Sequence, residues 1–392
     1  MKPKLIRITT APISMNIILK GQLAFMEQYF EVIGVTAYDE KHFNEVAARE
    51  NIRMFEVNMR RTISPIQDLK SLWKLYRFIR KEKPEIVHTH TPKAGLLGML
   101  AANMAGVPVK LHTVAGMPLV ETTGAKRQLL NFIEKLTYRC ADKIYPNSKG
   151  LEDIIFENRF CKREKAKVIA NGSSNGIDTD YFTPDSISER VAFNQQFREQ
   201  NGIAQDDVVF CFVGRLCIEK GIAELVTAFR KLLAQNPGTP IKLLFVGPFE
   251  KENGALSQEM ADAITSIPEI IYVGRHDDIR PYLSISDIFV FPSYREGFPN
   301  VVLQAGAMGL PCIVSNINGC NEIVKNGENG LIVDVKSSDA VFDAMQKLLH
   351  DTDLRNSLAS KARENIVANY KRNIIWQALL TEYNFYIEQV KK

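Results

Sequence analysis

Short runs of consecutive apolar residues alternate along this chain with stretches whose apolar positions recur every three to four residues. Runs of four to seven apolar residues read as strands buried on both faces, and the longer period reads as amphipathic helix. Strands are expected over 4–9, 30–36, 53–57, 85–88, 109–113 and 143–145, with helices over 17–29, 40–50, 65–81, 94–105 and 125–139 between them. The alternation stops at 170–184, where two Asn-Gly pairs, two serines and a closing proline supply turn and linker chemistry. It resumes with strands over 207–214, 241–247, 270–273, 288–291, 311–314 and 330–333 and a helix over 221–235; residues 369–392 form one amphipathic tail helix. Repeated strand–helix alternation predicts an α/β chain of two Rossmann-like halves, each a parallel sheet with helices on both faces. The boundaries expected are 1–182, 183–370 and a last helix, 371–392, that packs back on the first domain.

Composition adds the compartment and a charge asymmetry. With 45% hydrophobic and 24% charged residues in 392, the chain is an ordinary soluble globular protein of two-domain length. Six cysteines, at 140, 161, 211, 217, 312 and 320, form no CxxC pair and no His/Cys ligand spacing, which fits small apolar residues in a reducing cytosol. Arg7 interrupts the first apolar run and no cleavage site follows, so no signal peptide is expected. No window reaches the roughly 18 apolar residues of a membrane span. The net charge is +8 over residues 1–200, −4 over 201–392 and +10 over 51–150. A basic first half calls for an anionic partner: a membrane surface, a phosphate-bearing acceptor or nucleic acid. Nucleic acid fits least, because the basic residues are not interleaved with a base-stacking platform.

Two stretches carry candidate chemistry. Phe291 to Ser315 follows an apolar run, turns at Pro292 and Ser293, and offers Glu296 and Gly297 before a helical pattern that starts at Pro299. Proline suits a first helical position because its missing N–H costs nothing there. The backbone N–H groups of Phe298, Asn300 and Val301 would then surround the positive end of a helix, a site for a phosphorylated ligand. A carboxylate beside an anion site needs a reason, and sugar hydroxyls are one. In the second stretch, 212–221, a strand ends at Gly214, Arg215 follows at once, and Lys220 lies at the mouth of the next helix. Two permanent cations at the carboxyl edge of an α/β sheet can neutralise a pyrophosphate, although exposed Arg and Lys are ordinary.

Taken together, these stretches resemble the retaining glycosyltransferases of family 4, which have the GT-B fold. The resemblance runs through Lys20-Gly21, the 87–90 strand end, the 112–116 loop, Asn147-Ser148, the 175–178 linker with Phe182, Gly214-Arg215 and Lys220-Gly221. It closes on Pro292-Ser293, Glu296-Gly297-Phe298, 309–311, 319–322 and 327–330. It implies two Rossmann-like domains facing a central cleft. It further implies that Arg215 and Lys220 hold the donor's diphosphate, and that Glu296 with Gly297, Phe298, Asn300 and Val301 holds the donor sugar. His112 would contact the sugar or leaving phosphate. The family repeats glutamate eight positions after the first, to grip the ribose; here that residue is Gln304.

The reading that follows is a hexosyltransferase taking its sugar from a nucleotide diphosphate sugar, UDP by the style of 172–178, with the anomeric configuration kept. Surface polysaccharide synthesis is implied by the same resemblance of the motifs to bacterial capsule and O-antigen transferases, and a lipid-linked saccharide acceptor would suit the basic first half. The alternatives are an epimerase of the same fold and a nucleotide-sugar-binding protein without turnover. A dehydrogenase does not fit, since no GxGxxG follows a strand. No cofactor is expected: two cations and a helix end can offset the diphosphate without a divalent metal, and Asp178-Thr-Asp180 reads as linker rather than metal motif. The helix over 65–81 places Ile66, Leu69, Leu72, Trp73, Tyr76 and Ile79 on one side and Lys70, Lys74, Arg77 and Lys81 on another. That pattern fits a domain helix with a solvated basic face. With Arg60 and Arg61 the same face could rest on anionic lipid, at the inner side of a membrane, in an otherwise cytoplasmic protein.

Overall fold

The structure, a computed structural model, describes residues 2–60, 62, 64–117, 119, 122–184, 188–251 and 254–391; Arg61 lies outside them. The chain divides into two compact units, Met1–Gly176 with Arg372–Lys392, and Ile177–Lys371.

The first unit is built on a parallel sheet of β1 (Lys4–Ile8), β2 (Glu31–Thr36), β3 (Arg53–Glu56), β4 (Ile86–His90), β5 (Val109–Val114) and β6 (Lys143–Pro146), in the order β3-β2-β1-β4-β5-β6. Its helices are α1 (Pro12–Ile18), α2 (Gln22–Glu27), α3 (Glu40–Glu50), α4 (Pro65–Glu82), α5 (Pro92–Met104), α6 (Gly124–Cys140) and α7 (Lys149–Glu157). Alternate residues of each strand point to opposite faces. Ile6 and Ile8 therefore join a core with α4, α5 and α6, while Leu5 packs with α2 and the last helix.

The second unit repeats the plan with β7 (Val208–Val213), β8 (Ile241–Val246), β9 (Ile270–Tyr272), β10 (Ile288–Phe291), β11 (Cys312–Ser315) and β12 (Gly330–Val333), in the parallel order β12-β11-β10-β7-β8-β9. Its helices are α8 (Ser188–Gln200), α9 (Ile222–Gln235), α10 (Gln258–Ser266), α11 (Arg280–Ser284), α12 (Asn300–Ala307), α13 (Cys320–Ile323), α14 (Ser338–His350) and α15 (Thr352–Tyr370). The last helix, α16 (Arg372–Lys391), belongs to the first unit, where Ile375, Leu379, Leu380, Tyr383 and Ile387 are buried against the sheet. Each such side chain contributes about 1.5–3 kcal/mol on burial, enough to hold a terminal helix in place.

Three details differ from the sequence pattern. The helix expected over 17–29 is two helices, broken at Gly21, whose φ of +79° is left-handed and over which the Trp376 ring lies. The tail helix expected from 369 starts at Arg372, because α15 runs on to Tyr370 and Lys371 turns out of it with ψ 136°. The third concerns α4. Its core side is Ser71, Leu75, Phe78 and Ile79, while Ile66, Leu69 and Trp73 are 77, 67 and 57% exposed. Apolar residues cover more than one side of this helix, so its period marks amphipathy without saying which stripe meets the sheet.

Candidate functional site

Strand order in the second unit reverses between β7 and β10, which are hydrogen-bonded neighbours whose following connections leave in opposite directions. Ligands of open α/β sheets bind beyond the carboxyl ends of the strands at such a point. Both candidate stretches leave the sheet there. After β7 come Gly214, Arg215 and a short 3-10 turn, Ile218–Lys220, leading into α9. After β10 come Pro292, Ser293 and the loop to α12.

Gly221 allows the two loops to meet. Its φ is +68°, and a Cβ there would come within 2.1 Å of the Pro292 carbonyl oxygen. Across this contact the Lys220 ammonium pairs with the Glu296 carboxylate and lies 5.3 Å from the centre of the Phe291 ring. Ser293 Oγ is 3.2 Å from Glu296 Oε1 and 3.2 Å from the Glu219 carbonyl oxygen; Tyr294 N donates to that same carbonyl at 2.8 Å. Arg295 Nη2 donates to Glu219 Oε2 at 2.8 Å, and Tyr294 Oη to Glu224 Oε1 at 2.6 Å. The loop carrying Glu296 is thus fixed to the loop carrying Lys220 by backbone, hydroxyl and charge together.

The remaining residues of the stretch are placed by α12. Pro299 is its N-cap rather than its first residue: ψ of 110° keeps it extended, and its carbonyl accepts from Val302 and Leu303 at 3.2 and 3.4 Å. Asn300 is exposed, Val301 and Gln304 are half-buried, and Phe298 is buried 5.5 Å from the Tyr370 ring. The first N–H groups of a helix have no partner within it, so Asn300 and Val301 present theirs at the helix's positive end. Gly297 lies under Gly319, where a Cβ would come within 2.6 Å of the Gly297 oxygen. Arg215 is brought to the same sheet edge but is half exposed and pairs with Glu250.

His112 belongs to the first unit, on β5, and is almost wholly buried. Its Nδ1 is 2.8 Å from Thr89 Oγ1, and its ring fills the space that a side chain at Gly95 of α5 would occupy. Burial pulls its pKa down to about 4, so the ring is neutral near pH 7.

On the opposite face of that sheet lies a network around a residue that in sequence only interrupts an apolar run. Arg7 is fully buried in β1; its Nη2 donates to Gln22 Oε1 at 2.6 Å, and its Nε to His90 Nε2 at 3.1 Å. His88 Nδ1 is 2.6 Å from Tyr383 Oη of α16, and its Nε2 is 2.8 Å from Thr113 Oγ1. Gln22 Nε2 and Trp376 Nε1 both donate to Asn175 Oδ1, at 3.1 and 2.7 Å. Several stretches singled out in the sequence (the 20–21, 87–90 and 175–178 segments) therefore meet as scaffold. Asp178 Oδ1 accepts from the N–H groups of Asp180 and Tyr181, at 3.3 and 3.0 Å, a side-chain turn. Among the described residues no group of three or more His, Cys, Asp or Glu gathers as metal ligands.

Comparison with known proteins bears on what this site serves. The family model described as Glycosyl transferases group 1 matches residues 193–365, and that of the Glycosyl transferase 4-like domain matches residues 29–172. The capsular polysaccharide biosynthesis glycosyltransferase CapM of Staphylococcus aureus is 32% identical over 372 residues, covering 95% of this chain and 94% of its own. The chain belongs to the group 1 glycosyltransferases. A second relative of this glycosyltransferase is the UDP-Gal:alpha-D-GlcNAc-diphosphoundecaprenol alpha-1,3-galactosyltransferase of Escherichia coli, 32% identical over 82% of this chain and 81% of its own. The crystal structure of Anabaena HepE in complex with UDP matches the fold with a TM-score of 0.79 at 19% identity, covering 98% of this chain and 100% of that one. The glycosyltransferase has the GT-B architecture of two Rossmann-like units.

Lys220 and Glu296, expected to act on neighbouring parts of one donor, are in contact. What sequence reasoning missed are the groups that hold them: Phe291 under the ammonium, Ser293 against the carboxylate, and Glu219 gripping Arg295. No spacing rule signals a pair that lies more than seventy residues apart in the chain.

Proposed function

We propose that this glycosyltransferase moves a hexosyl unit from a UDP-sugar to a lipid-linked saccharide in surface polysaccharide synthesis, with the anomeric configuration kept. The observation that carries the donor half of the reading is the Lys220–Glu296 pair at the switch point of the second sheet, beside the start of α12. Lys220 and Arg215 take the donor's diphosphate, and Arg215 exchanges its half-exposed bond to Glu250 for phosphate oxygens. An ion pair this exposed contributes about 1 kcal/mol or less, so the exchange costs little. Glu296 and the N–H groups at Asn300 and Val301 meet the sugar, and Gln304 the ribose. Positive groups already fixed in place stabilise the diphosphate as it leaves with the bonding electron pair. The departing phosphate can accept the acceptor hydroxyl's proton on the face where that oxygen attacks, which keeps the configuration without a covalent intermediate. His112, neutral, serves as a hydrogen-bonding group to sugar or phosphate and not as a general acid. No metal is needed in this scheme.

The acceptor half is supported by the relatives, one of which acts on a saccharide diphosphoundecaprenol and another in capsular polysaccharide synthesis. A lipid-held acceptor would bring the enzyme to the inner face of a membrane as a peripheral protein; no described helix is long and apolar enough to cross one.

Calorimetry with UDP tests the donor site. Arg215→Ala and Lys220→Ala should each weaken binding at least about tenfold, the effect of losing one charge-assisted contact; unchanged affinity in both removes the assignment. Proton NMR of the first-formed product then decides the anomeric outcome.

A further inference from the structure

The apolar side chains that α4 leaves in solvent do not stand alone. On the exposed side of that helix, Ile66, Leu69 and Trp73 are interleaved with Lys70, Lys74 and Arg77, all exposed and all on one stripe by their spacing. Helix α6 repeats the arrangement: Leu129 and Phe132 are 44 and 63% exposed, and Lys135 and Arg139 are exposed further along the same side. Both helices pack against α5, on the same face of the first sheet. Each helix leaves the carboxyl edge of the sheet and runs back toward the other edge, as crossovers between parallel strands must. Along α4 the apolar and basic groups are interleaved, and along α6 the exposed Lys126 precedes the apolar pair while Lys135 and Arg139 follow it, so both kinds of group share this face.

The exposed charge of these two helices is of one sign. The carboxylates of the two helices are Asp68, Glu82 and Glu134. Asp68 is paired with Lys93 at 2.7 Å and Glu82 with Arg53 at 2.6 Å, and Glu134 is buried. None offsets the exposed lysines and arginines. Exposed tryptophan, phenylalanine, leucine and isoleucine beside uncompensated basic residues are the composition of a helix that lies in a lipid interface. A second copy of the chain is a poor occupant, since a two-fold contact would set this basic face against itself.

We propose that the α4–α6 face of the first unit docks on an anionic lipid bilayer, with Trp73, Leu69, Ile66 and Phe132 entering the headgroup layer and the neighbouring lysines and arginines meeting lipid phosphates. The proposal rests on the lipid-linked acceptor reading for its biological membrane, but its test uses vesicles without acceptor, so either can fail alone.

The test is co-sedimentation of the full chain with phosphatidylglycerol or phosphatidylcholine vesicles at low and high salt. Binding should favour phosphatidylglycerol at least about tenfold and weaken with salt, because headgroup attraction is screened within a Debye length. Lys70→Glu/Lys74→Glu/Arg77→Glu should lower it by more than about a hundredfold, given roughly fivefold for each basic residue removed. Ile66→Ser/Leu69→Ser/Trp73→Ser, which leaves no cavity, should also weaken it, and should abolish quenching of tryptophan fluorescence by brominated lipid. UDP calorimetry on both triple variants should match the parent, which separates lost docking from lost folding. Failure to bind phosphatidylglycerol vesicles overturns the proposal. So does binding that neither triple variant changes, or a dimer in solution that the apolar triple variant dissociates. A chain that binds vesicles but not UDP overturns the donor reading and leaves this one standing.

Discussion

Lys220 and Glu296 lie 76 residues apart in the chain and form an ion pair across the loops that follow two adjacent strands. Their side chains are 18 and 17% exposed, so the pair is partly shielded from solvent yet open to a ligand. The pairing orients both groups before a donor arrives, the positioning from which electrostatic catalysis draws most of its effect. Glu296→Gln keeps the size of the side chain and removes its charge. Hydrogen bonds to a charged group are worth about 1.5–3 kcal/mol, so kcat/KM should fall by roughly tenfold to a hundredfold. Steady-state kinetics with the UDP-sugar would measure it, with UDP affinity alone changing much less.

Gly221 makes that pairing possible and should not tolerate a side chain. An alanine there meets the Pro292 oxygen and keeps a left-handed φ, a conformation that costs on the order of 1–3 kcal/mol before the clash is relieved. Gly221→Ala should lower the unfolding temperature and weaken UDP binding together, because relief of the clash parts the two loops. Calorimetric unfolding and UDP titration would check both; a variant that binds UDP normally would show that the loops are not held by this approach.

Gln304 is the testable departure within α12. Gln304→Glu puts a carboxylate where the family's pattern has one, and a charged acceptor is roughly twice as strong as a neutral one. UDP affinity should rise about fivefold, and any hydrolysis of the UDP-sugar should rise with it. An affinity that falls would mean that the half-buried site suits only the amide.

Acid should destabilise the first unit. His88, His90 and His112 are buried in it, and burial holds all three below the usual histidine range, His112 at about 4. The unfolded chain protonates these rings near pH 6.5, while in the folded unit His112 does so only at about pH 4 and His88 and His90 are held well below the usual range. Their contribution is therefore present above pH 6.5 and lost as pH falls toward 4. Glu134 works the other way: burial raises its carboxyl to about 7, so its contribution is present below the ordinary carboxylate range and lost as pH rises through 7. Three groups outweigh one, and the urea midpoint should be lower at pH 5 than at pH 7. Both tryptophans of the chain, Trp73 and Trp376, lie in this unit, so their fluorescence reports it alone. Glu134→Gln should steepen the dependence; a flat one would mean that the histidines titrate normally.

The sequence by itself determined the strands, because a run such as Ile288–Phe291, apolar on both sides, can satisfy its backbone and its side chains only inside a parallel sheet. It determined the linker turn at Asp178 and the cation and carboxylate of the donor stretches, since those follow from residue type and local spacing. Tertiary structure decided the rest. Helix α4 shows a 3.6-residue period, yet which of its stripes is buried depends on the sheet it packs against, and the sheet chose Leu75, Phe78 and Ile79 over Ile66, Leu69 and Trp73. Arg7 reads in sequence as a break and in the fold as the buried centre of a network, because its partners come from α2 and β4. Lys220 meets Glu296 for the same reason. Local propensity acts over a few residues, whereas strand order brings distant loops to one edge, and no pattern along the chain encodes that order directly.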